Sequence, residues 1–389
     1  MSQLSNFCYI PFHGFCIDPS GWLTYCCMDH PKENFLTKNL FRTHESQHIE
    51  EIEDLQRWWE ETYEPVWQAY MENKQESLYP CYRCFSKDAM KGKWPVKQSY
   101  DHNLKRGNIK WDFNFSNPKV KFLEYTVSNI CNQMCVMCSG RCSTQWHDFD
   151  EQFGRQKGKL TRISNKSIEK IKKLVPNLDV IYVKGGEPFA DIKNMEILEH
   201  VAETNPDCSI YMTSNIQSIT KKNFNILKKL KNVNIHASID GIYKVYNWIR
   251  GGNFDKMVEN AKKIYYECGH QIQPSTTITI YNFFSLDKIV KHFNSEPYVK
   301  WQQCYNIVDW PAWSSIRHLP QDLFEDTMNY YKETLTEYEG VNLGNLFEVE
   351  NKFSKDIMSD AKKYTETMNS IRGFNITDYV PELKKLFNH

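Results

Sequence analysis

The chain has 389 residues, and its 48 lysines and arginines balance its 48 aspartates and glutamates, so its formal net charge is zero. This length predicts one large domain with a smaller one, or two domains. The balanced charge argues against nucleic acid as a partner, because phosphate binding leaves a basic footprint.

Thirteen cysteines are present, and most are clustered, with six before residue 85 and four between 131 and 142. The start of the chain lacks the pattern of an export signal, and no run approaches the roughly 18 apolar residues of a membrane helix. We therefore expect a cytoplasmic protein with no membrane partner. In such a chain, clustered cysteines indicate metal binding or catalysis.

Residues 1–105 form an irregular segment that is rich in aromatic residues and cysteine. A helix is predicted over 47–73, in which Pro65 could cause a break. Cys8 is followed by twelve residues, Gly21, four residues and Cys26, and Gly21 fits a turn between two short strands, FCYI and WLTYC. Two further cysteines follow in the motif CYRC, Cys81 and Cys84.

From about residue 118, β-branched runs alternate with helical stretches, which predicts parallel strands with helices packed outside. Six such units over 118–310 predict an α/β fold, an incomplete (β/α)6 barrel with its chemistry at the carboxyl ends of the strands. Residues 311–389 are predicted to form a helical extension, with helices at 321–338 and 348–371. The strands are predicted at 121–128, 179–184, 208–213, 232–239, 274–281 and 299–308. The barrel helices are predicted at 164–175, 192–204, 220–230, 253–268 and 285–293.

The motif CNQMCVMC follows the first barrel strand and contains Cys131, Cys135 and Cys138 in CX3CX2C spacing. Three thiolates can hold three irons of a [4Fe–4S] cluster and leave the fourth iron open to a substrate. The alternative is a zinc site in which Cys142 supplies a fourth thiolate.

Polar motifs end the next three strands. The second strand ends in GGEP, where glycines let the backbone approach a ligand closely and a carboxylate could accept a bond from an ammonium group. Asn215 follows the third strand, and Ser238 and Asp240 lie at the end of the fourth. Arg250 comes ten residues after Asp240. Taken alone, Ser238 and Asp240 could cap a turn or helix, and Arg250 could pair with a surface acid. The residues are Gly185, Gly186, Glu187, Pro188, Asn215, Ser238, Asp240 and Arg250.

With CX3CX2C after the first strand and GGE after the second, the sequence resembles the radical S-adenosylmethionine (SAM) superfamily over roughly residues 118–310. The resemblance implies an enzyme in which SAM chelates the open iron of a [4Fe–4S] cluster. One electron from the reduced cluster would break the C5′–S bond of SAM. The resulting 5′-deoxyadenosyl radical would take a hydrogen atom from the substrate.

The resemblance also implies roles for individual side chains. Asn215, Ser238 and Asp240 stand where the family binds the ribose hydroxyls and the methionine moiety of SAM. Arg250 stands where related enzymes hold the SAM carboxylate, which a guanidinium can bind bidentately. Met137 replaces the aromatic residue that the family usually places near the adenine, and its thioether can cover a π face.

The CX12GX4C pattern resembles the opening of the SPASM and twitch modules, which bind auxiliary [4Fe–4S] clusters. It implies a second cluster held by Cys8, Cys26, Cys81 and Cys84 in an N-terminal module over 1–105, whereas those modules usually follow the barrel. The rival ligands are Cys16 and Cys27, and the alternative is a structural zinc ribbon.

Relatives with such modules often modify peptides or proteins, and some modify small molecules such as aminocyclitols. We expect a peptide or protein side chain as the substrate, with a sugar, aminocyclitol or nucleoside as the alternative. An electron donor such as flavodoxin or ferredoxin is implied. On the last strand, Cys304 or Tyr305 could face the cavity and donate a hydrogen atom. A non-catalytic zinc-binding interaction protein is the competing class of function.

Overall fold

The computed structural model describes residues 8, 10–26, 47–74, 114, 116–300, 304–335 and 344–387. Within this part of the chain, eight strands form one sheet in the order β2-β1-β3-β4-β5-β6-β7-β8. Every neighbouring pair is parallel except β1 and β2. The strands are β1 Gly14–Ile17, β2 Leu23–Thr24, β3 Phe122–Thr126, β4 Val180–Lys184, β5 Ser209–Ser214, β6 Asn232–Ser238, β7 Ile272–Ile278 and β8 Cys304–Ile307.

Helices follow the strands in alternation, so the predicted α/β class and the six predicted barrel strands are confirmed. Tyr243–Arg250 forms a helix that the sequence analysis did not predict. No helix in the described ranges is both long enough and apolar enough to cross a membrane. The helices are α1 Ile10–His13, α2 Leu55–Met71, α3 Asn165–Leu174, α4 Ile192–Thr204, α5 Lys221–Leu227, α6 Tyr243–Arg250, α7 Phe254–Cys268, α8 Leu286–Phe293, α9 Gln321–Thr334, α10 Gly344–Phe347, α11 Lys355–Arg372 and α12 Glu382–Leu386.

The two faces of the sheet differ in polarity because side chains alternate along each strand. One face is apolar and belongs to the main hydrophobic core, with Leu123, Ile181, Ile210 and Ile235 all fully buried. The opposite face is largely polar. The core face binds the helices, and the polar face lines the inside of the curved sheet.

The N-terminal segment extends this same sheet. Strand β1 pairs in parallel with β3, and β2 pairs with β1 across a turn in which Gly21 has a φ of +87°. Ile10, predicted to end a strand, instead begins α1. The described part of 1–105 therefore shares a sheet and a hydrophobic core with the barrel.

Helix α2 begins at Leu55 because the Asp54 side chain caps the backbone N–H groups of Gln56 and Arg57. The helix continues through Pro65, so the break considered at that residue is absent. Its three tryptophans, Trp58, Trp59 and Trp67, are at most 6% exposed and belong to the core.

Candidate functional site

The cysteine loop, residues 129–144, lies at the carboxyl edge of the sheet, directly after β3. Cys131 and Cys135 are buried, and Cys138 is half-buried. The strands β4, β5 and β6 end at the same edge because they run parallel to β3. The predicted polar motifs therefore surround the loop.

GGEP is in direct backbone contact with the residues that lead into Cys131. The Gly186 N–H donates to the Ser128 carbonyl at 3.1 Å, and the Glu187 N–H donates to the Ile130 carbonyl at 2.8 Å. A Cβ on Gly186 would lie 2.2 Å from the Ile130 oxygen, so a larger residue cannot make this approach. Gly185 has a φ of +143°, which few other residues adopt.

The Glu187 carboxylate is only 2% exposed and joins the ends of two strands. It accepts bonds from the Ser214 hydroxyl at 2.6 Å, the Asn215 N–H at 2.7 Å and the Phe189 N–H at 3.1 Å. Burial raises the pKa of Glu187 to about 6, although these bonds oppose the rise. In this structure Glu187 fixes the geometry of the strand ends, and its role towards an ammonium group stays a prediction.

The other predicted cofactor-binding residues lie around the same loop. The Asn215 amide donates to the Asn132 side chain at 2.8 Å and so joins the end of β5 to the cysteine loop. Pro188 and Ser238 are buried. Met137 is half-buried and packs against the main core.

Asp240, Arg250 and Cys135 form a buried chain of polar contacts. Asp240 is fully buried, and its carboxylate lies 2.5 Å from the Arg250 Nε and accepts a bond from the Thr277 N–H at 2.7 Å. The Arg250 Nη1 in turn lies 3.6 Å from the Cys135 Sγ. Burial raises the pKa of Asp240, and the Arg250 guanidinium opposes that rise. This arrangement holds a cation beside the middle cysteine.

The thiols of the loop have strongly perturbed acidity. Burial raises the pKa of Cys131 to about 12 and also raises the pKa of Cys135. A hydrogen bond between Cys138 and Cys142, together with burial, raises the pKa of Cys138, and the same bond lowers the pKa of Cys142 to about 7. Metal binding deprotonates thiols, so loading this site would release protons.

The three cysteines of the loop supply soft sulfur donors, two of them buried. Among the described residues, no group of three or more Cys, His, Asp or Glu side chains is placed to hold a metal ion. Thiolates suit iron–sulfur chemistry, and each of the three could bind one iron, so a [4Fe–4S] cluster at this loop stays a prediction.

Residues that the sequence analysis missed hold the carbonyl groups of the loop. The Trp146 indole donates to the Cys135 carbonyl at 3.0 Å, and Arg155 donates to the Cys138 carbonyl at 2.6 Å. Tyr364 donates to the Val136 carbonyl at 2.8 Å. Further donors are Ser143 to Gln133, Thr144 to Cys131 and Arg372 to Met134. No sequence motif marks these donors.

Two of the four cysteines predicted for a second cluster are described. Cys8 and Cys26 both pack against a small apolar cluster of Ile10, Phe122, Val180 and Tyr211. Phe122 and Val180 begin their strands, so this cluster is near the amino edge of the sheet, away from the cysteine loop. Cys81, Cys84 and the rival Cys27 lie outside the described residues, and the rival Cys16 is buried on β1.

Tyr305 does not face the interior of the barrel, so that prediction was wrong. It pairs in register with Thr276, and this position lies on the same face as the core residues Ile272 and Ile278. Tyr305 packs against the main core, and burial raises the pKa of its hydroxyl. The backbone of Cys304 pairs with Ser275.

The family model of the Radical SAM superfamily matches residues 125–288, which include the cysteine loop, GGEP, Asp240 and Arg250. A search of curated proteins gave no match.

A search of solved structures also gave matches. SuiB from Streptococcus suis, bound to S-adenosylmethionine, is 17% identical at a TM-score of 0.42, over 72% of this chain and 60% of SuiB. Native anSMEcpe with bound AdoMet and Cp18Cys peptide is 16% identical at a TM-score of 0.38, over 56% of this chain and 60% of that chain. The match therefore spans about three fifths of the length of either protein.

Proposed function

We propose that the chain is an enzyme that cleaves SAM reductively to the 5′-deoxyadenosyl radical and abstracts a hydrogen atom from its substrate. The match of residues 125–288 to the family model of the Radical SAM superfamily supports this proposal. The observation that supports the proposal best is the contact between GGEP and the cysteine loop. Two backbone bonds, from Gly186 and Glu187, place this turn against the residues that precede Cys131.

When bound, a reduced [4Fe–4S] cluster would supply the electron for cleavage of the sulfonium. In this proposal Cys131, Cys135 and Cys138 hold three irons of that cluster. Gly185 and Gly186 keep the turn free of side chains, so SAM can lie against the backbone. Arg250 binds the SAM carboxylate, and Asp240 keeps the guanidinium in place beside Cys135.

The proposed substrate is a peptide or protein side chain, and a sugar, aminocyclitol or nucleoside is the alternative. The inner face of the barrel offers charged and polar groups to either class. Lys184 forms an ion pair with Glu124 at 2.9 Å and lies 4.7 Å from the centre of the Tyr182 ring, and a third of the Lys184 side chain is exposed. A polar substrate could therefore be oriented below the SAM site.

We also propose a second [4Fe–4S] cluster with Cys8, Cys26, Cys81 and Cys84 as ligands. The packing of Cys8 and Cys26 on one apolar cluster supports it, because ligands of one cluster must lie close together. With four thiolate ligands such a cluster has no open iron, so it would relay electrons from a flavodoxin or ferredoxin or tune the substrate site.

Iron and sulfide analysis after anaerobic reconstitution tests both clusters. The parent protein should hold about eight irons per chain, since each cluster contains four. Replacing Cys131, Cys135 and Cys138 with alanine should leave about four irons and abolish formation of 5′-deoxyadenosine from SAM. Replacing Cys8 and Cys26 should also lower the iron content to about four but should preserve SAM binding.

Unchanged iron content in the triple variant would contradict the assignment of the loop. Stoichiometric zinc with no iron would instead favour the non-catalytic interaction protein. The substrate class is tested by incubating the reconstituted protein with SAM and deuterated candidate substrates. Transfer of deuterium into 5′-deoxyadenosine from a peptide, and not from small molecules, would support the proposed class.

A further inference from the structure

Helix α11 is in direct contact with the cysteine loop, although it begins far beyond the end of the family match at residue 288. The Tyr364 hydroxyl donates to the Val136 carbonyl at 2.8 Å in a buried bond. Arg372, in the last turn of the same helix, donates to the Met134 carbonyl. These two carbonyls flank Cys135 on either side.

Arg372 also joins the loop to the helix that carries Arg250. Its Nε donates to the Trp248 carbonyl at 2.8 Å, and its guanidinium lies so close to Gly251 that a Cβ there would approach the Nη1 to 2.7 Å. The Trp248 indole donates back to Asn369 of α11 at 2.9 Å. The Val136 N–H donates to the Ile249 carbonyl at 2.9 Å, so loop, α6 and α11 meet at one junction.

We propose that α11 is a positioning element for the cluster, with Tyr364 and Arg372 as its positioning residues. The proposal rests on the proposed function of the loop. Buried backbone carbonyls in a loop with little regular secondary structure need hydrogen-bond donors, and donors on a neighbouring helix also restrict how far the loop can move. Tyr364 and Arg372 supply two such bonds around Cys135, and Arg372 fixes the same segment relative to Arg250.

Two conservative variants test this role. Tyr364→Phe removes the hydroxyl and keeps the ring, which stacks on Trp313 with 3.6 Å between centroids. Arg372→Lys keeps the positive charge. Its ammonium lacks the planar fork of the guanidinium, so it cannot bond the Met134 and Trp248 carbonyls at the same time. The matched control is Tyr281→Phe, which loses a buried bond at 3.0 Å to Thr365 of the same helix without contact to the loop carbonyls.

The measurement is the rate at which a ferrous chelator removes the cluster from anaerobically reconstituted protein. The loss of the cluster is monitored by EPR spectroscopy of the reduced protein. Only the part of the signal that shifts when SAM is added is counted, so a second cluster does not contribute. We expect about fivefold faster loss in Tyr364→Phe, and tenfold or more in Arg372→Lys, because bonds from charged donors are stronger. Tyr281→Phe should lose the cluster at the parent rate.

Parent-like rates in both Tyr364→Phe and Arg372→Lys would overturn the positioning role. Equal acceleration in Tyr281→Phe would also overturn it, since the effect would then be a general loss of stability. A parent protein with no SAM-responsive signal would instead refute the proposed function itself, so the two failures can be told apart.

Discussion

Asp240 and Arg250 are a buried ion pair at the edge of the candidate site. Asp240 is fully buried, and the Arg250 side chain is 12% exposed. Two charges removed from water are stable only if they stay paired, so removing one partner is far more costly than removing both. The pair is thus a structural requirement as well as a candidate for SAM binding.

We expect Arg250→Met alone to lower the free energy of unfolding by about 3–5 kcal/mol, because the Asp240 carboxylate then stays buried without a positive charge beside it. Adding Asp240→Asn should recover part of that loss. Urea unfolding of the parent, both single variants and the double variant measures the coupling. If the two single effects simply add, the residues are not coupled in the folded state.

The raised pKa of Glu187 predicts that the stability of the apoprotein depends on pH. The pKa of Glu187 is raised to about 6 in the folded chain from the usual 4.5, so the folded state binds the proton more tightly than the unfolded state. The Glu187 side chain therefore makes its full contribution to the free energy of unfolding below about pH 4.5. This contribution, about 2 kcal/mol, is lost as the pH rises through 6. Urea unfolding of the parent and of Glu187→Gln at pH 5 and pH 7 measures this loss of stability. The prediction fails if both proteins show the same pH dependence.

At the scale of elements, helix α2 tolerates a proline in its interior. Pro65 lacks an N–H, so the Glu61 carbonyl one turn earlier loses its helical donor. Both residues are exposed, which lets water bond to that carbonyl. Tertiary packing of Trp58, Trp59 and Trp67 on the core outweighs the local cost.

Pro65→Ala should raise the free energy of unfolding by about 2 kcal/mol, because the gain in helix propensity exceeds the loss of rigidity in the unfolded chain. Thermal unfolding measures this, with the exposed neighbour Glu64→Ala as a control that should change little. An unchanged or lower melting temperature in Pro65→Ala would contradict this expectation.

The six barrel strands were predictable because each is a short β-branched or aromatic run between helical stretches. Two errors had a signal in the sequence. In β8 the apolar residues Tyr305 and Ile307 alternate with Asn306, which already assigns Tyr305 to the core face. In α6 the buried positions 245, 246, 248 and 249 follow helical spacing.

At the scale of the whole molecule, local patterns predicted the cysteine loop and the strand-end motifs but not what holds them. Tyr364 and Val136 are 228 residues apart, and nothing near either residue marks the contact. The same holds for β1, whose place beside β3 depends on pairing across about a hundred residues. Contacts of this kind are set by the packed fold, so a single sequence does not show them.

The bond from Arg372 to Met134 spans 238 residues and has a consequence for how the protein is made. Ribosomes add roughly 5–20 residues per second, so the cysteine loop would emerge roughly ten to fifty seconds before the helix that secures it. During that interval its thiols would be open to oxidation and to stray metal ions. In the proposed function, stable assembly of the cluster would therefore follow the synthesis of residue 372.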